Sequence, residues 1–310
     1  MTRKPFFHGA RRHGAWVRQR ARRQLRRWPA PAVGMLWMVL GGLCFSVLNT
    51  LARALSQQLD VYQAQFLRYL MGVLVMLPLV WRHGLAACRP VNIAGQFWRG
   101  AVHTLGLILW FTALPKIPLA DMTAIGFTGP IFIMIGAAWF LGEPMRGDRW
   151  VAALIGFAGV LVVVLPKMTG EGGWYNLVML ASSPVFAASF LITKALTRYE
   201  KPGVIVLWQS LTVTLLSLPM ALPNWQGPTA AQWLGFAVTG VLGTLGHYCL
   251  TRAFHIADIS ATQSLRFLDL VWASLLGWLV FADVPSASTW AGALVILLAT
   301  VWIARRESRR

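Results

Sequence analysis

Ten stretches of about 20 mainly apolar residues follow one another along the chain, roughly at 32–52, 61–81, 95–114, 119–141, 149–165, 174–196, 203–222, 231–254, 259–281 and 289–303. Short polar segments separate them. Backbone left unpaired in hydrocarbon is too costly to tolerate, so windows of this length cross a bilayer as helices; barrel strands would alternate over about 10 residues. The pattern predicts an all-α integral membrane protein with ten transmembrane helices.

The ten windows are five windows written twice. Thr104-Leu105-Gly106 returns 140 residues later as Thr244-Leu245-Gly246, and Trp150-Val151-Ala152-Ala153-Leu154 returns as Trp290-Ala291-Gly292-Ala293-Leu294. Pro78 answers to Pro219, Phe45 to Phe186 and Arg53-Ala54-Leu55 to Lys194-Ala195-Leu196 at an offset of 141. The sequence thus divides into a basic N-terminal tail (1–31), a first five-helix repeat (32–166), a second (174–304) and a basic C-terminus (305–310). An odd number of spans per copy turns the second copy upside down, so the predicted architecture is two inverted five-helix repeats. Such repeats build two alternating gates around one central site.

Composition agrees: 57% of residues are hydrophobic and 12% charged, with a mean hydropathy of +0.59, against about a quarter charged in a soluble domain. The net charge of +18 would point to nucleic acid in a soluble protein. Its placement points to topology instead, and no nucleic-acid partner is expected. With the N-terminus in the cytoplasm, that side receives ten Lys/Arg from the tail and thirteen more from loops and helix ends, Arg99, Arg149 and Lys194 among them; the other side receives Arg53, Lys116 and Lys167. This positive-inside bias places both termini in the cytoplasm of a bacterial inner (plasma) membrane.

In the tail, ten basic residues stand with no acid, and Val17, Ala21, Leu25 and Trp28 would share one helical face. A short helix on anionic lipid, an unstructured orienting tail and an organellar transit peptide all fit this pattern. Cys44, Cys88 and Cys249 are isolated, and neither metal-ligand spacing nor a phosphate-binding Gly loop nor a nucleophile elbow occurs. No metal, no cofactor and no enzymatic activity are expected. A homodimer is compatible with the sequence.

Arg266-Phe-Leu-Asp-Leu-Val-Trp-Ala-Ser-Leu-Leu-Gly-Trp-Leu-Val-Phe281, followed by Trp290-Ala-Gly-Ala-Leu-Val-Ile296, resembles the end of an EamA repeat of the drug/metabolite transporter superfamily. Gly129-Pro130-Ile131-Phe132, Phe140-Leu141-Gly142-Glu143-Pro144, Gly156, Gly159 and Phe66-Leu67-Arg68-Tyr69 resemble the same family in the first repeat. The resemblance covers about residues 34–304. Two departures stand out: Asp283 where the family has Glu, and Leu268-Asp269 where the first repeat has Gly129-Pro130. The resemblance implies a secondary transporter of a small organic metabolite, an amino acid or related compound, working by alternating access.

A charge inside the bilayer costs at least about 2.5 kcal/mol, so each one marks a candidate site. Arg68, Arg266 and Asp269 are such charges, with Asp121 near the outer end of the fourth span. Arg266 and Asp269 lie three apart, on one helical face, with Gln263 a turn earlier; they read either as a self-neutralising ion pair or as a polar stripe lining the substrate cavity. Arg68 has no acid within a turn. His247, with Asp269, is a candidate for proton coupling, although a lone histidine is more often a packing residue; His103 is expected near the cytoplasmic end of its span, at headgroup level. Trp110 is a candidate cavity wall and Asn49 a weaker polar contact. Gly129 and Pro130 mark a hinge, and Pro184 an interruption of the sixth span. A non-transporting scaffold or receptor would explain the tail but not the inverted halves, and a membrane-embedded enzyme would need a catalytic cluster.

The charge bias makes a prediction about topology. Reporter fusions after Arg89 and Arg310 should read cytoplasmic and a fusion after Gln226 external; a C-terminus outside would refute the inverted arrangement.

Overall fold

The computed structural model describes residues 29–56, 58–113, 116, 125–167, 173–281 and 284–308. The basic tail up to residue 28, Asp121 and Asp283 lie outside them. Among the described residues there is no strand. Eight helices run in order: α1 (Ala30–Ser56), α2 (Val61–His83), α3 (Ile93–Ala113), α4 (Gly129–Leu141), α5 (Gly147–Val164), α6 (Trp174–Leu196), α7 (Pro202–Ala221) and α8 (Ala230–Ile256). A short α9 (Ile259–Gln263), a 3-10 turn (Ser264–Phe267), α10 (Leu268–Phe281) and α11 (Ala287–Ser308) complete the chain.

Seven of the described helices, α1, α2, α5, α6, α7, α8 and α11, are long and apolar enough to cross a membrane, and the protein is an all-α integral membrane protein. The exceptions are informative. α3 is 21 residues long but buries Gln96, Arg99, His103 and Thr104, which lower its hydropathy. The span expected over 259–281 is not one helix: the chain tightens to 3-10 geometry at Ser264–Phe267. A turn at Phe127–Thr128 likewise precedes α4, with Pro130 in that helix's first turn, where its missing N–H costs nothing. The interruption expected at Pro184 does not occur; α6 runs straight through it.

Local chemistry sets several helix ends. Asp60 accepts the N–H groups of Tyr62 (2.9 Å) and Gln63 (3.1 Å) at the start of α2, and Thr229 and Gln232 form a reciprocal capping box at the start of α8. Gly142, at φ +68°, closes α4 in the left-handed conformation.

The helices pack in exchange-related sets. α1 lies along α8 as α3 lies along α6; α2 packs on α8 as α7 packs on α3; α4 meets α6 as α10 meets α1; α2 pairs with α7 and α5 with α11. Lipid tails are as apolar as leucine, so close packing and hydrogen bonds must hold these pairs together. α5 and α11 meet through small residues: a Cβ on Gly292 would stand 2.5 Å from the Gly159 carbonyl oxygen.

Polar ties close both ends of the bundle. At one end Arg149, buried to 4% exposure, donates to Glu307 (3.0 Å), Ser260 (2.8 Å) and Asp258 (3.0 Å). Glu143 accepts the N–H groups of Ile259 (2.7 Å) and Ser260 (3.0 Å), and the Lys194 ammonium donates to the carbonyls of Phe254 (2.7 Å) and Ala257 (2.6 Å). The α8–α9 connection is therefore gripped by α5, α6 and the segment after α4, and Glu307 of α11 holds Arg149 in place. The opposite end is tied by neutral amides: Gln63 donates to the Gln226 carbonyl (2.6 Å) and accepts its N–H (2.9 Å), and Gln232 donates to Gln58 (3.0 Å).

The α5–α11 contact yields a stability prediction. Gly292→Leu should destabilise the protein by about 1–3 kcal/mol through overpacking, seen as a lower unfolding temperature in detergent. Leu294→Ile, at an exposed position of the same helix, should leave it unchanged; equal melting of both variants would show that the close approach carries no weight.

Candidate functional site

The polar residues that hydropathy leaves unexplained meet at the centre of the bundle. α2 contributes Arg68 and Tyr69, α3 Arg99 and His103, α6 Phe186, Ser189 and Phe190, and α8 His247. The Tyr69 hydroxyl lies 3.1 Å from Nε2 of His103 and 3.5 Å from Nε2 of His247, and the two imidazole centroids are 5.6 Å apart. Nδ1 of His103 lies 3.3 Å from the Ser189 hydroxyl. All four of these residues are buried.

Aromatic rings enclose the pair. Phe45 meets His247 edge-on at 4.9 Å, and Phe186 meets His103 at 5.2 Å. These two phenylalanines are the residues matched at an offset of 141, and each rests on a matched glycine: a Cβ on Gly246 would come within 3.1 Å of Phe45, and one on Gly106 within 2.9 Å of Phe186. The same surroundings therefore serve both halves.

Guanidinium groups flank this centre. Arg68 is half-buried, its Cζ 5.0 Å from the Tyr69 ring centroid, beside Gly243 one turn before His247. Arg266, in the 3-10 turn, is also half-buried and lies over Phe190 at 5.2 Å. Among the described residues neither has a carboxylate within 4.0 Å. Arg266 and Asp269 thus make no direct ion pair. They straddle the junction between 3-10 turn and α10 rather than sharing a regular helical face, and Asp269 turns to α1, where a Cβ on Gly42 would collide with its Oδ1.

The remaining expected residues are more dispersed. Gln263 is fully buried; its Nε2 donates to the Ile259 carbonyl (2.9 Å), while its Oε1 has no partner. Trp110 stacks edge-on against Phe111 at 4.8 Å and packs with Ala113 and Met179. Asn49 is exposed, one turn beyond Phe45 on α1. Gly129 and Pro130 open α4 just after the turn at Phe127–Thr128.

Two residues stand elsewhere than expected. His103 is not at headgroup level but in the buried centre. Arg99, counted among the charges of a helix end, is 1% exposed; it donates to the Thr193 hydroxyl and to the Ile205 carbonyl (3.1 Å), both neutral. The signal for both was present: Gln96, Arg99 and His103 recur at helical spacing inside a spanning window, a polar stripe on one face of α3. Among the described residues no group of three or more His, Cys, Asp or Glu could hold a metal ion. Flat rings, hydrogen-bonded imidazoles and two guanidiniums with no carboxylate neighbour among the described residues suit a planar organic solute bearing polar edges.

The profile of the EamA-like transporter family matches the chain twice, over residues 32–165 and 173–305. The chain is 36% identical over 281 residues to a riboflavin transporter of Rhizobium johnstonii, covering 90% of this chain and 93% of that protein. It is 32% identical over 291 residues to a riboflavin transporter of Vibrio cholerae (90% and 95% covered) and 28% identical over 276 residues to an S-adenosylmethionine uptake transporter of Rickettsia felis (89% and 94%). A solved crystal structure superposes with a TM-score of 0.77 at 19% identity, covering 89% of this chain and 98% of its own, a likeness of fold alone. These relatives are transporters and not enzymes, and with the family profile spanning almost all of both halves, the chain belongs to the EamA-like transporter family.

Proposed function

We propose that this protein carries a small heteroaromatic metabolite across the membrane, with riboflavin the first candidate, by alternating access between two inverted five-helix halves. The observation that carries the reading is the pair of half-buried guanidiniums, Arg68 and Arg266, each lying over a ring and neither within 4.0 Å of a carboxylate among the described residues, beside the His103–Tyr69–His247 centre. The names of the two relatives above 30% identity support the choice of substrate. Arg266 and Arg68 meet the polar edge of the solute, Trp110 offers its ring face, and Gln263 and Asn49 add neutral hydrogen bonds. Asp269 balances part of the positive charge and is the group we assign to proton exchange.

The exchange-related packing supports the inverted arrangement, with the breaks at Phe127–Thr128 and Ser264–Phe267 as equivalent hinges in the two halves. Both termini then lie in the cytoplasm, and the basic tail rests on anionic lipid. An amino acid, held through its carboxylate by Arg266, is the second reading, favoured by that free guanidinium fork.

Uptake into proteoliposomes separates the two. Labelled riboflavin should enter and be displaced by unlabelled riboflavin but not by amino acids. Arg68→Ala and Arg266→Ala should each reduce uptake by about 10-fold or more, the worth of a charge-assisted hydrogen bond, while elution and melting stay normal. Arg266→Lys should fail as well, because an ammonium lacks the planar fork. Undiminished uptake in both alanine variants would remove these arginines from the site.

Tyr69→Phe tests the centre itself. Loss of the hydroxyl leaves two buried imidazole nitrogens unpaired and should cost about 1–3 kcal/mol of stability, read as a lower melting temperature in detergent. An unchanged melting temperature would mean that the hydroxyl does not join the histidines.

A further inference from the structure

Four hydrogen bonds run in series through the centre of the protein. The Ser189 hydroxyl donates to the Arg99 carbonyl (3.3 Å) and shares a bond with Nδ1 of His103 (3.3 Å); the Tyr69 hydroxyl shares one with Nε2 of His103 (3.1 Å) and one with Nε2 of His247 (3.5 Å). Both imidazoles are buried, and among the described residues neither has a carboxylate within 4.0 Å, so burial favours the neutral ring at each place. Each ring therefore has one N–H to give, and each hydroxyl has one proton.

That stock of protons fixes the direction of the series. A carbonyl can only accept, so the Ser189 proton goes to Arg99. His103 must then donate from Nδ1, which leaves its Nε2 as an acceptor. Tyr69 donates to that nitrogen, and its oxygen accepts the Nε2–H of His247. No other arrangement makes all four bonds. It leaves Nδ1 of His247 a bare lone pair, and this atom is buried with no hydrogen-bond partner among the described residues. An acceptor held in that condition loses the hydrogen bond that water would supply, which makes it a point that a ligand can satisfy.

We propose that Nδ1 of His247 reads a hydrogen-bond donor on the substrate, reached when Phe45 leaves its place against the imidazole, and that the donor is the N–H of a cyclic imide. In such an edge the N–H stands between two carbonyls, and the carbonyls suit the guanidiniums of Arg68, which lies beside Gly243 of α8, one turn before His247, and of Arg266. The pyrimidine edge of a flavin has this form, so the inference rests on the flavin reading and sharpens it. Arg99 and Ser189 act as positioning residues, since their carbonyl and hydroxyl decide which nitrogen of His247 stays unprotonated.

Two measurements test it. In ring-15N histidine spectra of the full chain, assigned with His103→Leu and His247→Leu, residue 103 should be protonated on Nδ1 and residue 247 on Nε2, opposite tautomers in one protein. The same tautomer at both, or an imidazolium at either, would overturn the proposal without any substrate being present. In competition uptake, riboflavin should outcompete its N3-methyl derivative by about 10-fold or more in the wild type, as a site built around one hydrogen bond rejects an analogue lacking it. His247→Leu should bring the two ligands to parity by weakening riboflavin. Equal competition in the wild type would overturn the donor reading and leave the flavin reading standing; no flavin uptake at all would overturn the flavin reading and the imide assignment with it. Should His247→Leu fail to fold, the wild-type comparison still decides.

Discussion

Hydrocarbon accepts no hydrogen bonds, and almost everything else about this protein follows from where its chain puts the groups that need them. Serine and threonine hydroxyls are mostly silenced locally, as Thr104 donates to Gly100, Thr193 to Ser189 and Thr251 to His247, each one turn back along its own helix. Groups that cannot be silenced this way gather at three levels, the two ends and the centre. Arg99 shows the rule under most strain: a fully buried cation held by a hydroxyl of α6 and a carbonyl of α7, which ties three helices through one side chain.

The same rule explains why the helices break where they do. A 3-10 turn or an interrupted helix frees backbone carbonyls, which are tolerable in a membrane only against other protein or a polar cavity. Ser264–Phe267 lies against α1, α5 and α11 and carries Arg266, so the irregular backbone and the costly charge occupy one place.

Much of this was legible in the sequence, because hydropathy and repetition are properties of a line. The windows expected at 174–196 and 203–222 match α6 and α7 within a residue, and the match of Phe45 with Phe186 was visible as an offset. What the offset could not say is that each ring covers a histidine, since those contacts join segments that only folding brings together. Windowed hydropathy also averages around the helix, which hid the polar face of α3 and made Arg99 look like the charge of a helix end. Leu268-Asp269 gave no hint of a break beside it, because the break is shaped by α1, α5 and α11 rather than by a local Gly-Pro pair. Arg68, Arg266 and His247 stood out as candidates from the cost of their burial; Tyr69 and Ser189, cheap to bury, did not.

The ties at the two ends differ in kind, and the difference reaches beyond packing. The buried ion pair of Arg149 with Glu307 holds strongly while dry, but water admitted to it screens the attraction, as it already does for the exposed Asp258, and dissolved salt screens it further. The glutamine pairs at the other end carry no net charge and feel ionic strength only weakly. Dissolved ions therefore weigh on the ties at one end of the bundle more than on the glutamine pairs at the other.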